Sequence, residues 1–566
     1  MKSACRRAAT AFAVAVTAAG CVACTPGGDP GSDSAAEPGT KQSYEELAGP
    51  PASVLIAGVQ MIDGTGEPAF NADVGISEGK ITLVRPAAAD TPAGPAASDG
   101  TFADTIDGFG LLLTPGFIDM HSHIDPLVEW GRPATEFITQ GITTGVVGVD
   151  GGGTSDLDDF FRQVEGGGVG HHIISYVGHG SIRGRVMGMD DRAPDAAELE
   201  QMRDLVRQGM REGAFGFSTG LFYTPGYYAD TDEVVALGQV AAEFGGPQEI
   251  IYDTHDRDLG AAYQGIGYLN SIREAVDIGS RTGLRVIFSH FNAQGAANYG
   301  RAAEGAALID SARAEGLEVA GAQHVYTSTM SSLRAYTIPR WAQSGGPEQM
   351  VRRFLDPDTA AILDVQTMEM LDIRGGPDQL VFADPLPELN GKTLAEVAAE
   401  REKPVPEVVR DLMAGGNPGV MNRNLYDPVN TRFLAAQSWM MTCTDGATSR
   451  PGQYMTHPRA YGAFPKKVRE YVREEGLISM EFAVRSMTGL AADFLGLDDR
   501  GYVREGMVAD IALIDPAGFT DRATYEDPHR YSEGVVHLLV NGRFAIRDGE
   551  STGVLAGRAI RRPTSG

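Results

Sequence analysis

Pro115-Gly116-Phe117-Ile118-Asp119-Met120-His121-Ser122-His123 is the stretch on which the reading of this chain turns. Leu111 to Ile118 is apolar with few breaks, the pattern of a buried strand. His121 and His123 follow at its end, two residues apart. On an extended chain such residues point to the same side. Two imidazoles facing one way at a strand end can grip a metal ion. The pair by itself is equally readable as two solvated histidines of a turn, so the remaining chain has to decide.

Downstream, strands and helices alternate. Thr135 to Gln140 reads as a short helix, and Ile142 to Val149 as a β-branched strand ending at Asp150. Ile173 to Val177 is a strand ending at Gly178-His179. Asp195 to Glu212 has helical spacing, Ala214 to Phe217 is a strand, and Asp230 to Phe244 is a helix. Glu249 to Tyr252 leads into His255, Leu284 to Ser289 into His290, Leu317 to Gln323 into His324, and Met440 to Thr444 into Asp445. Repeated βα units predict an α/β fold, a (β/α)8 TIM-type barrel over residues 113–496, with its site at the strand C-terminal ends. Short strands separated by Gly and Asp turns occupy both flanks. They include Ser53 to Ala57, Asp73 to Ile76 and Lys80 to Val84, then Ala509 to Asp515 and Val535 to Val540, with Asn541-Gly542 as a hairpin turn. Residues 51–112 and 497–562 are therefore expected to form one composite β-sandwich.

The metal-ligand candidates are His121, His123, Asp150, His255 and His290, with Asp445 after a later strand. Singly, each has a plain alternative: His255 as a hydrogen-bonded core histidine, Asp150 as the turn former before Gly151-Gly152-Gly153. Together, they recur at strand ends and are the residue types that hold zinc, with one or two ions per chain expected. No lysine occurs between Lys80 and Lys392. A carboxylated lysine is therefore not available as a bridge, and Asp150 is the best-placed anion.

The 566 residues exceed one compact core. A net charge of −28 argues against a nucleic-acid partner. Lys2, Arg6 and Arg7 precede a small-residue apolar run, Ala8 to Ala19, and then Gly20-Cys21. Residues 1–21 are expected to be a lipoprotein-type signal with Cys21 lipidated. Cys24 or an ordinary cleaved secretory signal are the alternatives. Residues 22–50 read as a disordered tether, rich in Gly, Pro, Ser, Asp and Glu. The expected location is the extracytoplasmic face of a bacterial membrane. Only Cys443 lies in the body of the chain, so no disulfide framework is expected there.

Several motifs carry a resemblance: GFIDMHSH at 116–123, GHGSIRGRVMG at 178–188, GFSTGLFYTPGYYADTDE at 216–233, THDR at 254–257, SHFNAQG at 289–295, TDG at 444–446, HPRAYGAFPK at 457–466, and DRGYVREGMVADIALID at 499–515. From about residue 53 to 562 the chain resembles the N-acyl-D-amino-acid deacylase (D-aminoacylase) branch of the amidohydrolase superfamily. The resemblance implies metal ligation by His121, His123, His255 and His290, with Asp445 as general base, and a small acylated substrate whose C–N amide bond is hydrolysed. Three positions depart from the family pattern. Asp150 stands at the family's cysteine in Gly148-Val149-Asp150-Gly151. Asn292 stands at its lysine in Ser289-His290-Phe291-Asn292, and His324 begins its Tyr-Pro-Tyr. Arg459 and Tyr223 are candidate substrate anchors, with Asn292, His324 and His179 also near the substrate. A cyclic amide, a lactone or a small peptide is the alternative substrate class. A non-catalytic binding lipoprotein is the alternative from outside enzymology.

Overall fold

The computed structural model describes residues 43–87, 101–383, 386–450, 452 and 454–563. Cys21 and the expected signal lie outside these residues. Parallel strands dominate the middle. Phe117–Asp119, Ile142–Val147 and His172–Ser175 form one parallel sheet. Val177–Gly178, Gly216–Gly220, Ile251–His255, Arg285–Phe288, Val319–Gln323 and Met440–Thr442 form another, each paired with the next. Tyr176 alone separates His172–Ser175 from Val177–Gly178. At the opposite ends of the two sheets, the Met120 N–H donates to the Thr442 carbonyl at 3.4 Å. The Asp445 N–H donates to the His121 carbonyl at 2.9 Å.

Parallel strands need long crossovers, and helices Ala196–Arg211, Thr231–Ala242, Tyr268–Thr282 and Ala302–Ala314 supply them. Asp195 caps the first with a capping box to Glu198. Alternate strand residues serve two faces. Tyr252, Val286 and Phe288 pack with helix residues such as Leu237, Ile272 and Ile309. Ile118, Val146, Ile174, Ile251, Ile287, Ala320 and Met441 gather on the other face. Burial on both faces explains why these strands read as unbroken apolar runs.

Strands from both ends of the chain share one nine-stranded sheet. Val54–Met61 sits between Phe70–Ser77 and Leu112–Pro115, and the latter pairs with Ile511–Ile514 from the other end. The Asn541-Gly542 turn has positive φ at both residues, 51° and 68°, joining Val535–Val540 to Arg543–Arg547.

Three expectations change. Leu111 to Ile118 is two strands, not one. Gly116 separates Leu112–Pro115, in the nine-stranded sheet, from Phe117–Asp119, so the first of the parallel strands starts after Gly116 rather than at 113. A Cβ at Gly116 would lie 2.3 Å from the Thr143 side chain. The tether ends before residue 50, because Tyr44–Ala48 is a helix capped by Ser43, and the Tyr44 hydroxyl donates to the Ala556 carbonyl at 2.8 Å. Between Val319–Gln323 and Met440–Thr442 an insertion appears that periodicity did not separate from the barrel. Thr329–Ser332, Leu380–Phe382 and Gly419–Asn422 form a small antiparallel sheet there, packed on helices with a core of its own. Among the described residues no helix is long and apolar enough to cross a membrane.

Candidate metal centre

His121 and His123 follow the strand Phe117–Asp119, Asp150 follows Ile142–Val147, His255 ends Ile251–His255, His290 follows Arg285–Phe288, and Asp445 follows Met440–Thr442. Neighbouring strands bring these ends together. Three ligand triads result, His121–His123–Asp150, Asp150–His255–His290 and His121–His290–Asp445, with donor atoms within 4.8 Å of one another in each. Asp150 belongs to two of them. Its Oδ1 lies 3.6 Å from His121 Nε2 and 3.6 Å from His290 Nε2, while Oδ2 lies 3.5 Å from His123 Nε2. Asp445 Oδ1 lies 3.6 Å from His121 Nε2 and 3.4 Å from His123 Nε2.

Contacts near 3.6 Å are too long to be hydrogen bonds. They match the spacing of donors around a shared ion: with bonds of about 2.0–2.2 Å, tetrahedral donors sit about 3.3–3.6 Å apart. His121 Nε2 and Asp150 Oδ1 are buried and have no hydrogen-bond partner, the state expected of atoms whose partner is a cation. The donor set of imidazole and carboxylate suits zinc. Burial lowers His121 to about 3 and His255 to about 4, so both are neutral at pH 7. Burial pushes Asp150 up, but His121, His123 and His290 outweigh it and hold the carboxyl well below the usual range.

Backbone geometry is unusual at these positions. Asp150, His290 and Asp445 have φ of 53°, 32° and 49°. Non-glycine residues rarely occupy this region, and three ligand-bearing strand ends do so here, where strain commonly accompanies function. Gly151, after Asp150, has no room for a Cβ, which would lie 2.8 Å from the Gly220 nitrogen.

Asp119 was not singled out in the sequence. It accepts from the Thr444 N–H at 2.9 Å, the Thr444 hydroxyl and the His121 N–H at 3.3 Å, tying the strand end of His121 to that of Asp445. Asp253 plays a similar part, accepting from Ser218 and Ser289 at 2.8 and 2.9 Å. The only signal for Asp119 was its place two residues before the first histidine.

The substrate candidates separate. Tyr223 is at the site, its ring 4.7 Å from that of His255. Arg459 forms a close ion pair with Asp445 Oδ2, and its Nη1 lies 3.2 Å from His324 Nε2. Burial pushes Asp445 up, yet Arg459, then His290 and His123, hold it well below the usual range. Asn292 is turned away: its Nδ2 donates to Thr431 at 3.0 Å and its Oδ1 accepts from the Ala293 N–H at 2.9 Å. His179 is buried against Glu233 at 2.8 Å, beside Arg183, and does not join the ligand cluster.

The amidohydrolase family model matches residues 171–546. A D-aminoacylase from Alcaligenes xylosoxydans xylosoxydans is 31% identical over 535 residues, covering 90% of this chain and 98% of the relative. A solved D-aminoacylase, described with a binuclear metal centre, superposes with a TM-score of 0.74 at 28% identity over 90% of this chain and 100% of that one. An N-acyl-D-glutamate deacylase from Bordetella bronchiseptica, solved with zinc and a phosphonate inhibitor, gives 0.74 at 27% identity with the same coverage. These likenesses imply a TIM-type barrel with a smaller domain. The chain is a metal-dependent amidohydrolase and belongs to the D-aminoacylase branch of the amidohydrolase family.

Proposed function

We propose that this protein is an exported, zinc-dependent hydrolase of N-acyl-D-amino acids or close analogues. The observation that carries the reading is the sharing of Asp150 by two ligand triads. His121, His123, Asp150, His255 and His290 would hold zinc, which when bound acidifies water and polarises a carbonyl. Asp445 accepts the proton of the attacking water and delivers it to the leaving amine. Arg459, paired with Asp445 Oδ2, keeps that carboxylate ionised, and His324 faces the same oxygen. Tyr223 closes the site beside His255. The two parallel sheets are taken as one eight-stranded (β/α)8 barrel, supported by the hydrogen bonds between the strand ends of His121 and Asp445. The nine-stranded sheet is taken as a sandwich folded at the bulge of Val54–Met61. Anchoring through a lipid on Cys21 rests on the basic start, the apolar run and Ala18-Ala19-Gly20.

The test is an assay of purified protein, stripped with a chelator and reloaded with zinc, on paired N-acetyl-D- and N-acetyl-L-amino acids. Zinc-dependent release of the D-amino acid is expected. Hydrolysis of neither enantiomer at any zinc level, with activity on a lactone or cyclic amide instead, would replace this reading.

A further inference from the structure

The C-terminal tail is pinned to the start of the strand His172–Ser175, the end opposite the one where the metal ligands gather. The Ile173 N–H donates to the Arg558 carbonyl at 2.9 Å, and the Ile560 N–H donates to the Ile173 carbonyl at 2.8 Å. The Arg558 N–H donates to His172 Nδ1 at 3.1 Å. Between this tail, the nine-stranded sheet and the helix Tyr44–Ala48 lies a cavity of about 570 Å³, within the range of roughly 300–1,000 Å³ usual for small-molecule sites. Arg500, Arg543, Arg558 and Arg561 line it, with Glu45 and Glu78 as its carboxylates. Four guanidiniums thus meet at one cavity in a chain of net charge −28.

A guanidinium carries five N–H donors, and these four have spent theirs unequally. Arg500 gives donors from all three of its nitrogens to Asp499 and Asp510. Arg543 does the same toward Gly49, Asn541 and Glu45. Arg561 uses only Nη1, on Asp158 and on the Glu212 carbonyl, which leaves Nε and Nη2. Arg558 uses none. Its guanidinium lies over the Tyr44 ring, 3.9 Å from the ring centre, and among the described residues it has no hydrogen bond and no ion pair. Glu45 is taken up by Arg543. Glu78 sits in an exposed turn, where solvent ions screen its charge. The free donors around the cavity are therefore mainly those of Arg558 and Arg561.

We propose that this cavity is a binding site for a phosphate group, with Arg558 and Arg561 as its principal donors. Guanidinium forks match phosphate oxygens through paired hydrogen bonds. A phosphate monoester presents three strong acceptor oxygens, one more than a carboxylate, and suits forks that converge from separate segments. The volume leaves room for the rest of an ester. The source of the phosphate is either a soluble phosphate ester or the headgroup of an anionic lipid. The headgroup source rests on the anchoring reading above: Cys21 lies 22 residues before Ser43, a reach of up to roughly 75 Å, and the chain then enters the fold through Tyr44 and Glu45, at the cavity wall.

Two measurements test this. In the first, glycerol 3-phosphate and succinate are titrated calorimetrically into the zinc-loaded full chain and its Arg558→Gln and Arg561→Gln variants. The Arg558 side chain touches only Tyr44, so its replacement keeps the test valid should Arg561→Gln fail to fold. Glycerol 3-phosphate is expected to bind wild type more tightly than succinate does, and to bind Arg558→Gln about tenfold or more weakly. No binding of glycerol 3-phosphate, equal binding to wild type and Arg558→Gln, or tighter binding of succinate overturns the site. In the second, the full chain carrying Cys21→Ser and Cys24→Ser, so that no acyl chain contributes, is sedimented with vesicles of equal parts phosphatidylglycerol and phosphatidylcholine, and of phosphatidylcholine alone. Enrichment on the anionic vesicles that is lost on adding Arg558→Gln assigns the site to a lipid headgroup. Glycerol 3-phosphate binding without that enrichment assigns it to a soluble ester and removes the headgroup source. If the N-terminal peptide of the exported protein carries no lipid, the anchoring reading fails, and the titration still decides whether a phosphate binds here.

Discussion

Asp445 is the residue on which turnover should depend most. Its Oδ1 faces His121 and His123, and its Oδ2 faces Arg459 and His324. Its carboxyl is thus placed between the ligand cluster and a cation that keeps it ionised. Asp445→Asn preserves the shape and removes the proton acceptor. Turnover on a verified substrate is expected to fall by about 10²–10⁴-fold, with most of the metal retained, because five other ligands remain. Parallel measurement of kcat and zinc content separates this role from simple ligation; near-normal kcat would remove Asp445 from the proton path. The clustering of the candidate histidines and carboxylates was legible because each directly follows or ends an apolar run, and neighbouring strand ends lie side by side. Asn292 bonds to Thr431 and His179 to Glu233, outside the ligand cluster. Position in a motif does not tell whether a polar side chain faces the cleft or, as with Asn292 and Thr431, is spent on a neighbouring helix.

At the scale of elements, the site depends on how strand ends are fastened to one another. Asp119 fastens two of them, receiving the Thr444 N–H and hydroxyl from one strand end and the His121 N–H from another. Asp119→Ala leaves those donors without an acceptor and frees both ends to shift. Groups that orient metal ligands in this way typically contribute about 10–100-fold in metal affinity. A zinc competition titration with a chromophoric chelator is expected to show a loss of that size, and unchanged affinity would mean that the strands hold their ends without it. Most crossover helices and parallel strands were legible within a few residues, since periodicity and capping agree. Asp195 and Glu212, read as the limits of one helix, are its observed caps. The insertion was not legible. Its helix Gly346–Leu355 is amphipathic like the crossover helices Ala196–Arg211 and Tyr268–Thr282, and only tertiary contacts show that the insertion packs on a separate antiparallel sheet. The break at Gly116 was also hidden, because the residues on both sides of it are buried, Leu112 and Phe117 in one shared core and Leu113 and Ile118 in two others, so both strands look apolar.

At the scale of the whole molecule, the parallel-strand body and the terminal sheet are joined by a buried charge cluster. His172 Nε2 lies 3.2 Å from Asp510 Oδ1, Arg500 donates to Asp510 Oδ2 at 2.8 Å, and the Asn541 N–H donates to Oδ1 at 2.7 Å. Burial pushes Asp510 up, but His172 and Arg500 outweigh it and lower the carboxyl from 3.8 to about 2. A carboxyl lowered on folding stabilises the native state above its unfolded value and loses that contribution as pH falls through the folded value. The cluster thus contributes about 2 kcal/mol at neutral pH, fading between about pH 4 and pH 2. Asp510→Asn is expected to lower the urea midpoint at pH 7, with the difference from wild type shrinking below pH 4; a difference that persists undiminished into acid would assign the effect to packing. The metal centre turns on Asp150, the anion common to two ligand triads, in a chain with no lysine between Lys80 and Lys392. The most direct test is zinc content per chain, by elemental analysis, in wild type, Asp150→Ala and Asp150→Cys, each assayed in parallel for hydrolysis. Asp150→Ala is expected to lose metal and activity together, while Asp150→Cys, with one anionic sulfur at the same point, retains part of both. Full zinc occupancy and normal turnover in Asp150→Ala would contradict it.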